Sequence, residues 1–211
     1  MIYLDSACVE EARTVAKWSW VKGMTTNPTL LAATGINPAV TLQQLALISE
    51  EEVFYQLYQT EFQEMLKEGK KAKEIVGDKL VLKVPATDVG FQVVAWLKNE
   101  ITCSVTGIYH PAQAAVAEVA GAKYAIAYVN RATRLLGDGF QLVKDMASVL
   151  AGTETEILAA SLKSSDEAAQ ALAAGAHHLT LPLDILTALT THPLSEKTFA
   201  EFQEKGRGLA F

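Results

Sequence analysis

Cysteine is scarce in this chain, with Cys8 and Cys103 the two thiols among 211 residues. Two cysteines cannot form the disulfide framework of a small secreted protein, and a chain of this length buries a sufficient core without one. The first residues, Met1 to Asp5, contain neither a basic stretch nor a long apolar segment, so we expect no signal peptide. These features favour a reducing compartment, and we expect a cytoplasmic protein.

Basic residues are also fewer than acidic residues. Lysine and arginine number 18 against 24 aspartates and glutamates, and the formal net charge is −6. This balance disfavours nucleic acid or an anionic membrane as the main partner, although a local basic pocket for one phosphate remains compatible with it. The uncharged run 101–117 contains Thr, Ser, His, Pro and Gln, which excludes a transmembrane helix there.

Flexible linkers and low-complexity tracts are missing as well. Apolar residues make up 50% of the chain and charged residues 20%, which is ordinary for a globular protein and argues against disorder. We therefore expect one domain spanning residues 1–211.

Short apolar runs alternate with longer amphipathic stretches along the whole chain. Val89, Val93, Trp96 and Leu97 illustrate the helical spacing between two such runs. Repeated strand–helix units predict a (β/α)8 TIM barrel. The alternative is an open doubly wound sheet, which more often has a Gly-rich turn after its first strand than the 5–8 segment Asp-Ser-Ala-Cys. The eight predicted strands are Ile2–Asp5, Met24–Asn27, Val53–Tyr58, Leu80–Pro85, Ile101–Thr106, Tyr124–Asn130, Ile157–Ser161 and His178–Pro182.

The chain continues beyond the eighth strand. Residues 184–190 can form the last barrel helix, His192-Pro193 breaks it, and a further helix over 195–203 carries Phe199 and Phe202. This helix could fold back over its own barrel. We expect instead that the C-terminal helical tail, residues 194–211, packs on a neighbouring subunit of a homo-oligomer.

Polar side chains stand near the carboxyl ends of the strands, where TIM-barrel enzymes place their catalytic groups. Lys83 is the most informative, because apolar residues flank it on both sides. Burial disfavours its ammonium form and lowers its pKa, and a neutral amine can attack a carbonyl to form a Schiff base. A lysine that reaches solvent or pairs with Asp5 is the structural alternative. The residues at these ends are Asp5, Asn27, Gln56, Lys83, Thr106, Tyr128 and Ser161.

The other candidates suggest proton transfer and phosphate binding. Tyr128 could act as an acid or base, and Gln56 and Thr106 could hold a water beside an imine, although each residue could equally be structural. Arg131, after the sixth strand, and Ser161 suit a phosphate group. The four histidines show no metal-binding spacing, and we expect neither a metal nor a cofactor.

Several segments together resemble the transaldolase family, and the short chain resembles its small-subunit branch, which includes the fructose-6-phosphate aldolases. The similarity extends from Met1 to the C-terminal helix. The segments are Tyr3-Leu4-Asp5-Ser6, Thr25-Thr26-Asn27-Pro28-Thr29, Leu82-Lys83-Val84-Pro85-Ala86-Thr87, Tyr128-Val129-Asn130-Arg131 and Ala159-Ala160-Ser161-Leu162-Lys163.

This resemblance implies a cofactor-independent class I aldol mechanism acting on sugar phosphates. Lys83 would be the Schiff-base lysine, Asp5 would assist proton transfer and carbon–carbon cleavage, and Asn27 would contact substrate hydroxyls. Arg131 and Ser161 would hold the phosphate. The same branch assembles as pentamers stacked into decamers, so the resemblance implies a pentamer or decamer here.

Two positions distinguish aldolases from transaldolases within this resemblance. Transaldolases usually carry Glu on the third strand and Phe on the sixth, where this chain has Gln56 and Tyr128, as aldolases do. The resemblance thus favours cleavage of fructose 6-phosphate to dihydroxyacetone and glyceraldehyde 3-phosphate. Transfer of the dihydroxyacetone unit between sugar phosphates is the alternative, and a non-catalytic sugar-phosphate-binding barrel is a third reading.

The chain departs from its relatives in two places. Many relatives have an acidic residue shortly after the arginine, where this chain has Ala132-Thr133, so Arg131 could be less firmly oriented. Ser104 lies two residues before Thr106, on the same strand face, where transaldolases tend to have Asn and aldolases an apolar residue. We therefore include Ser104 among the expected substrate-binding residues.

Overall fold

Eight parallel strands close into a barrel in the computed structural model, which describes residues 1–209. Each strand pairs with the next along the chain, and the eighth pairs with the first, which confirms the expected (β/α)8 fold. The strands are β1 Ile2–Asp5, β2 Val21–Thr25, β3 Val53–Gln56, β4 Leu80–Pro85, β5 Thr102–Ile108, β6 Tyr124–Tyr128, β7 Glu156–Ala160 and β8 His178–Leu181.

Helices surround the barrel and connect its strands, as right-handed crossovers between parallel strands require. Within residues 1–209 they are α1 Val9–Val15, α2 Pro28–Ala33, α3 Pro38–Ile48, α4 Phe62–Val76, α5 Asp88–Leu97, α6 Pro111–Ala120, α7 Val129–Leu136, α8 Gly139–Val149, α9 Ser165–Ala173, α10 Leu183–Leu189 and α11 Pro193–Lys205. None of these helices is long and apolar enough to span a membrane.

Several predicted strands end earlier in the structure, because residues at their ends form local hydrogen bonds with side chains instead of pairing with a neighbouring strand. Asn27 is the N-cap of α2, and its side chain accepts a hydrogen bond from the Leu30 amide at 2.9 Å. The amide of Tyr58 donates to the carboxylate of Glu68 at 3.0 Å instead of joining β3. Asn130, predicted in the sixth strand, lies in α7, which follows β6 directly. The ends of these strands thus turn at once into the loops and helices that line the barrel mouth.

The helical stripe predicted from Val89, Val93, Trp96 and Leu97 is rotated in the structure. Val93 and Leu97 are buried in the core, but Trp96 is exposed and its ring meets that of Phe62 edge-on. The buried face of α5 therefore lies to one side of the predicted stripe.

A layer of aromatic side chains fills the amino-terminal half of the barrel. Tyr3, Phe54 and Tyr124 pack there without solvent exposure. The hydroxyls of Tyr3 and Tyr124 donate hydrogen bonds to the Glu52 carboxylate at 2.7 and 2.9 Å, which satisfies these buried polar groups. The barrel is thus closed at this end, and its interior opens at the carboxyl ends of the strands.

Helix α11 has no buried residue. Phe199 and Phe202 are 63% and 70% exposed, so this helix contributes nothing to the barrel core. The predicted tail extends to 211, and its last two residues, Ala210 and Phe211, lie outside the described residues.

Candidate active site

Lys83 lies in the middle of β4 and points into the barrel. Along this strand, Leu82 and Val84 pack outward against the helices, while Val81 joins the interior aromatic cluster, so strand alternation turns Lys83 inward as well. Its side chain is 3% exposed. Its Nζ donates a hydrogen bond to the carbonyl oxygen of Thr26 at 2.8 Å.

Burial lowers the pKa of Lys83 to about 8, and the nearby Asp5 carboxylate opposes this shift. At pH 7 about one lysine in ten is then neutral, against about one in 2,500 for a free side chain. A buried, partly neutral amine beside a carboxylate is suited to nucleophilic attack on a carbonyl.

Asp5 ends β1 on the same rim of the barrel. Its Oδ1 accepts a hydrogen bond from the Thr25 hydroxyl at 2.9 Å, and Thr25 is bonded in turn to the hydroxyl of Thr180. Both threonines are buried. This chain of hydroxyls from β8 through β2 orients the carboxylate, and sequence reasoning missed it. Thr25 stands within a quoted motif, but its partner Thr180 is 155 residues away.

Tyr128 ends β6 and is bound through its hydroxyl. Thr106 Oγ1 donates to Tyr128 Oη at 3.0 Å, and the Tyr109 ring stands edge-on to the Tyr128 ring with centroids 6.4 Å apart. Burial raises the pKa of Tyr128 above its usual value, the Thr106 hydrogen bond and the charge of Arg131 lower it, and the charge of Asp5 raises it further. Tyr128 is therefore protonated near neutral pH and able to donate.

Gln56 ends β3, with its register partner Lys83 on the next strand. Within residues 1–209, its buried Oε1 has no hydrogen-bond partner. A buried amide oxygen without a partner costs free energy, so it is available to accept a hydrogen bond from a substrate hydroxyl or a water.

Three residues near the ends of β6 and β7 bring positive charge and donors to the mouth. Arg131 lies in the first turn of α7, and Lys163 follows β7 by three residues. Ser161 has a φ of 60°, a conformation that costs a non-glycine residue free energy and occurs mainly at functional sites.

These groups surround one cavity of about 490 Å³ at the carboxyl end of the barrel. Thr106 and Ser104 are outside its lining. Thr106 reaches the cavity through Tyr128, whereas Ser104 is buried and donates to the Leu82 carbonyl at 3.2 Å. Lys163 and Thr180 line the cavity without having been selected as site residues. The selected residues in the lining are Asp5, Asn27, Gln56, Lys83, Tyr128, Arg131 and Ser161.

Metal-ligating side chains do not gather in the described part of the chain. Across residues 1–209, no group of three or more His, Cys, Asp or Glu side chains could hold a metal ion.

The sequence is similar to curated proteins over almost its whole length. A family model described as "Transaldolase/Fructose-6-phosphate aldolase" matches residues 2–209. A probable transaldolase of Hydrogenobaculum sp. is 35% identical over 197 residues, which cover 92% of this chain and 90% of the relative. A probable transaldolase of Symbiobacterium thermophilum is 31% identical over 204 residues, covering 95% and 94%.

Solved structures of mandelate oxidase share the fold at low identity. One with benzoyl-formic acid superposes with a TM-score of 0.61 at 17% identity, covering 83% of this chain and 59% of the oxidase. A variant with the monooxide FMN adduct gives a TM-score of 0.63 at 18% identity, covering 92% and 65%. This chain therefore spans about three fifths of those chains, and the likeness concerns the barrel alone.

Proposed function

Since this chain belongs to the transaldolase/fructose-6-phosphate aldolase family, we propose that it is a Schiff-base aldolase that cleaves and forms fructose 6-phosphate. The products of cleavage are dihydroxyacetone and glyceraldehyde 3-phosphate. The observation that carries the proposal is the buried Lys83, whose pKa is about 8, in one cavity with Asp5 and Tyr128.

The first step is attack of the neutral Lys83 amine on the C2 ketone of the sugar. The hydroxyl of the carbinolamine that forms takes up a proton and leaves as water, so that an iminium ion remains with its positive charge on the former lysine nitrogen. Burial supports this step because it raises the neutral fraction of the amine. The Thr26 carbonyl, 2.8 Å from Nζ, holds the amine in the cavity before attack.

The second step breaks the bond between C3 and C4. Asp5 accepts the proton of the C4 hydroxyl, the C3–C4 electron pair moves into the iminium, and glyceraldehyde 3-phosphate leaves. The dihydroxyacetone enamine stays on Lys83. The Thr25 hydroxyl, which donates to Asp5 Oδ1, orients the carboxyl group for this proton transfer.

The third step distinguishes the two activities of the family. Tyr128, positioned by Thr106, donates a proton to the enamine carbon, and a water near Gln56 adds to the resulting iminium and releases dihydroxyacetone. An enzyme without a well-placed acid would keep the enamine until an acceptor aldehyde arrived. The protonated Tyr128 supports hydrolysis of the intermediate, and so does Gln56 Oε1, which has no hydrogen-bond partner among residues 1–209.

The remaining residues would bind the sugar phosphate. Arg131 and Ser161 would hold the phosphate, joined by Lys163, and Asn27 would contact hydroxyls of the sugar. Ser104, buried beneath the cavity and bonded to the Leu82 carbonyl, would act by supporting β4 at Lys83.

The second candidate is a transaldolase that passes the same three-carbon unit to an acceptor sugar phosphate. The names of its relatives from Hydrogenobaculum and Symbiobacterium, both probable transaldolases, favour this candidate. Product formation from fructose 6-phosphate without an acceptor separates the two. Free dihydroxyacetone in stoichiometric excess over enzyme supports the aldolase, and release that requires erythrose 4-phosphate supports the transaldolase.

The decisive experiment is borohydride reduction in the presence of fructose 6-phosphate, followed by intact-mass measurement and peptide mapping. A reduced three-carbon adduct on Lys83 is expected, because the bond between C3 and C4 breaks before reduction. Lys83→Met should give no adduct, and Lys79→Met, which lies just before β4 and outside the cavity lining, is the matched control. Absence of any adduct with this sugar and with dihydroxyacetone would contradict the proposal.

We also propose that the protein is a cytoplasmic single-domain homo-oligomer, a pentamer or decamer, in which the tail 194–211 contacts a neighbouring subunit. The exposure of Phe199 and Phe202 on a helix without buried residues supports this assembly.

A further inference from the structure

We propose that Glu167 is a positioning residue for phosphate binding, because its carboxylate ties the helix that carries Arg131 to the loop that carries Ser161 and Lys163. The inference rests on the proposed function, since it assigns these three residues to the substrate phosphate. Glu167 itself is outside the cavity lining and would act through its neighbours.

Each oxygen of the Glu167 carboxylate accepts one short hydrogen bond from a different element. Oε1 accepts from Asn130 Nδ2 at 2.8 Å, and Asn130 immediately precedes Arg131 in α7. Oε2 accepts from the backbone amide of Lys163 at 2.8 Å, in the loop after β7. We call this pair of hydrogen bonds, from Asn130 and Lys163 to Glu167, the bracket. Hydrogen bonds to a carboxylate are roughly twice as strong as neutral ones, so the bracket restrains both elements.

A third bond closes the bracket into a ring. The backbone amide of Asn130 donates to the carbonyl of Ser161 at 3.1 Å. Ser161 holds its left-handed φ of 60° at this point. Such a conformation persists when surrounding bonds determine it. Three hydrogen bonds thus fix the relative positions of the phosphate-binding groups. They involve Asn130, Ser161, Lys163 and Glu167.

Glu167 is well anchored for this role. It lies in the first turn of α9, where a negative charge is favoured by the helix dipole, and its amide donates to the N-cap hydroxyl of Ser164 at 3.1 Å. The side chain is half-buried. The positions after Arg131 are Ala132 and Thr133, which carry no charge to orient the arginine. The orienting carboxylate comes from α9 instead, through Asn130.

The role depends on geometry more than on charge. A glutamine at 167 can accept from the Lys163 amide through Oε1 and donate through Nε2 to the Asn130 side-chain oxygen once the asparagine amide is flipped. Glu167→Gln should therefore keep the bracket, whereas Glu167→Ala and Asn130→Ala each break it.

The test compares two acceptor aldehydes in the synthesis direction, with dihydroxyacetone as donor. In Glu167→Ala and Asn130→Ala, the KM for glyceraldehyde 3-phosphate should rise about tenfold, the equivalent of one lost charge-assisted hydrogen bond. The kcat, and the kcat/KM for unphosphorylated glyceraldehyde, should stay within about twofold of the parent. Glu167→Gln should remain near the parent in all three quantities. Asp166→Asn, an exposed acid in the same turn, is the control.

The double variant Glu167→Ala/Asn130→Ala adds a coupling measurement. Its KM should match that of either single variant, because both remove the same bracket. Independent, multiplicative effects would overturn the proposal. So would an unchanged KM in both single variants, equal losses with both aldehydes, or a Glu167→Gln variant as impaired as Glu167→Ala.

Inorganic phosphate separates failure of this inference from failure of the proposed function. Its dissociation constant, measured by calorimetry, needs no turnover, and it should rise about tenfold in Glu167→Ala and remain unchanged in Glu167→Gln. If the parent forms no Lys83 adduct but phosphate binding responds in this way, the aldolase proposal is contradicted and the positioning role of Glu167 is supported. If the adduct forms and phosphate binding does not respond, only the positioning role of Glu167 is contradicted.

Discussion

The guanidinium carbon of Arg131 lies 5.1 Å from the centroid of the Tyr128 ring. The residue that we propose to bind phosphate is therefore stacked on the residue that we propose to donate a proton. A cation over a tyrosine face is worth about 0.5–1 kcal/mol at an exposed site. This contact between Arg131 and Tyr128 consequently couples phosphate binding to proton donation.

Arg131→Met should weaken phosphate binding far more than chemistry. Loss of a bidentate charged contact predicts an increase of about 10- to 100-fold in KM for glyceraldehyde 3-phosphate. Loss of the stack predicts a fall in kcat of about two- to fivefold. Steady-state kinetics with phosphorylated and unphosphorylated aldehydes measure both effects, with Arg134→Met, one turn along α7, as the control. Equal losses with both aldehydes would show that Arg131 serves Tyr128 alone.

Schiff-base formation should depend on pH through Lys83. Its pKa is about 8, so the neutral amine, and with it the rate of adduct formation with dihydroxyacetone, should increase up to that pH and level off above about 9. The Asp5 carboxylate raises the pKa of Lys83, so Asp5→Asn should shift the midpoint to lower pH. Stopped-flow trapping measures the profile. A midpoint near that of free lysine would contradict a desolvated amine.

Replacing the buried lysine should stabilise the fold while abolishing turnover. The pKa of Lys83 falls from 10.5 to about 8 on folding, so below pH 8 its ammonium destabilises the folded state by about 3 kcal/mol. Lys83→Met also loses the hydrogen bond to Thr26, which costs about 1 kcal/mol. The free energy of unfolding at pH 7 should therefore rise by about 2 kcal/mol.

The pH dependence of that gain provides its control. Between pH 8 and 10.5 the unfolded lysine binds more protons than the folded one, so the parent becomes more stable as the pH rises and the advantage of Lys83→Met disappears. Urea unfolding of both proteins at pH 7 and pH 10 gives the comparison. A variant that is less stable than the parent at pH 7 would argue against a destabilising ammonium.

Tyr128→Phe should convert hydrolysis of the enamine into transfer. Without the phenol, fructose 6-phosphate cleavage without an acceptor should fall by about 100-fold, in the range of a lost general acid. Transfer to erythrose 4-phosphate, which does not use that proton, should fall less than about fivefold. Thr106→Val, which removes the hydroxyl bonded to Tyr128, should show the same preference more weakly. Equal reductions in both reactions would exclude this role for Tyr128.

Helix α11 should govern assembly and leave the barrel intact. Phe199→Glu with Phe202→Glu places two charges on an exposed apolar face that contributes nothing to the barrel core. We expect a smaller particle by light scattering and an unchanged far-UV circular dichroism spectrum per residue. Glu201→Gln on the same helix is the control and should keep the parent mass. An unchanged mass in the double variant would contradict a role of this face in assembly.

The eightfold alternation and the strand-end residues were accessible from the sequence, because buried parallel strands are continuously apolar and one inward lysine stands out in such a run. The residues at which strands end were harder to predict from the sequence. The sequence placed Asn27 in the second strand, and only the hydrogen bond from the Leu30 amide shows that it caps a helix instead. Trp96 fits a helical stripe by spacing, yet it lies outside the core because neighbouring helices determine which face is buried.

The barrel, the buried Lys83 and a rim of polar groups follow from patterns along the chain. The interactions among those groups follow instead from the way in which the chain folds. Thr180 reaches Asp5 through Thr25, Ser104 donates to the backbone carbonyl of Leu82, and Glu167 joins helix α7 to the loop after β7. Such pairings depend on which residues barrel closure brings within hydrogen-bond distance, and that distance has no counterpart in linear spacing.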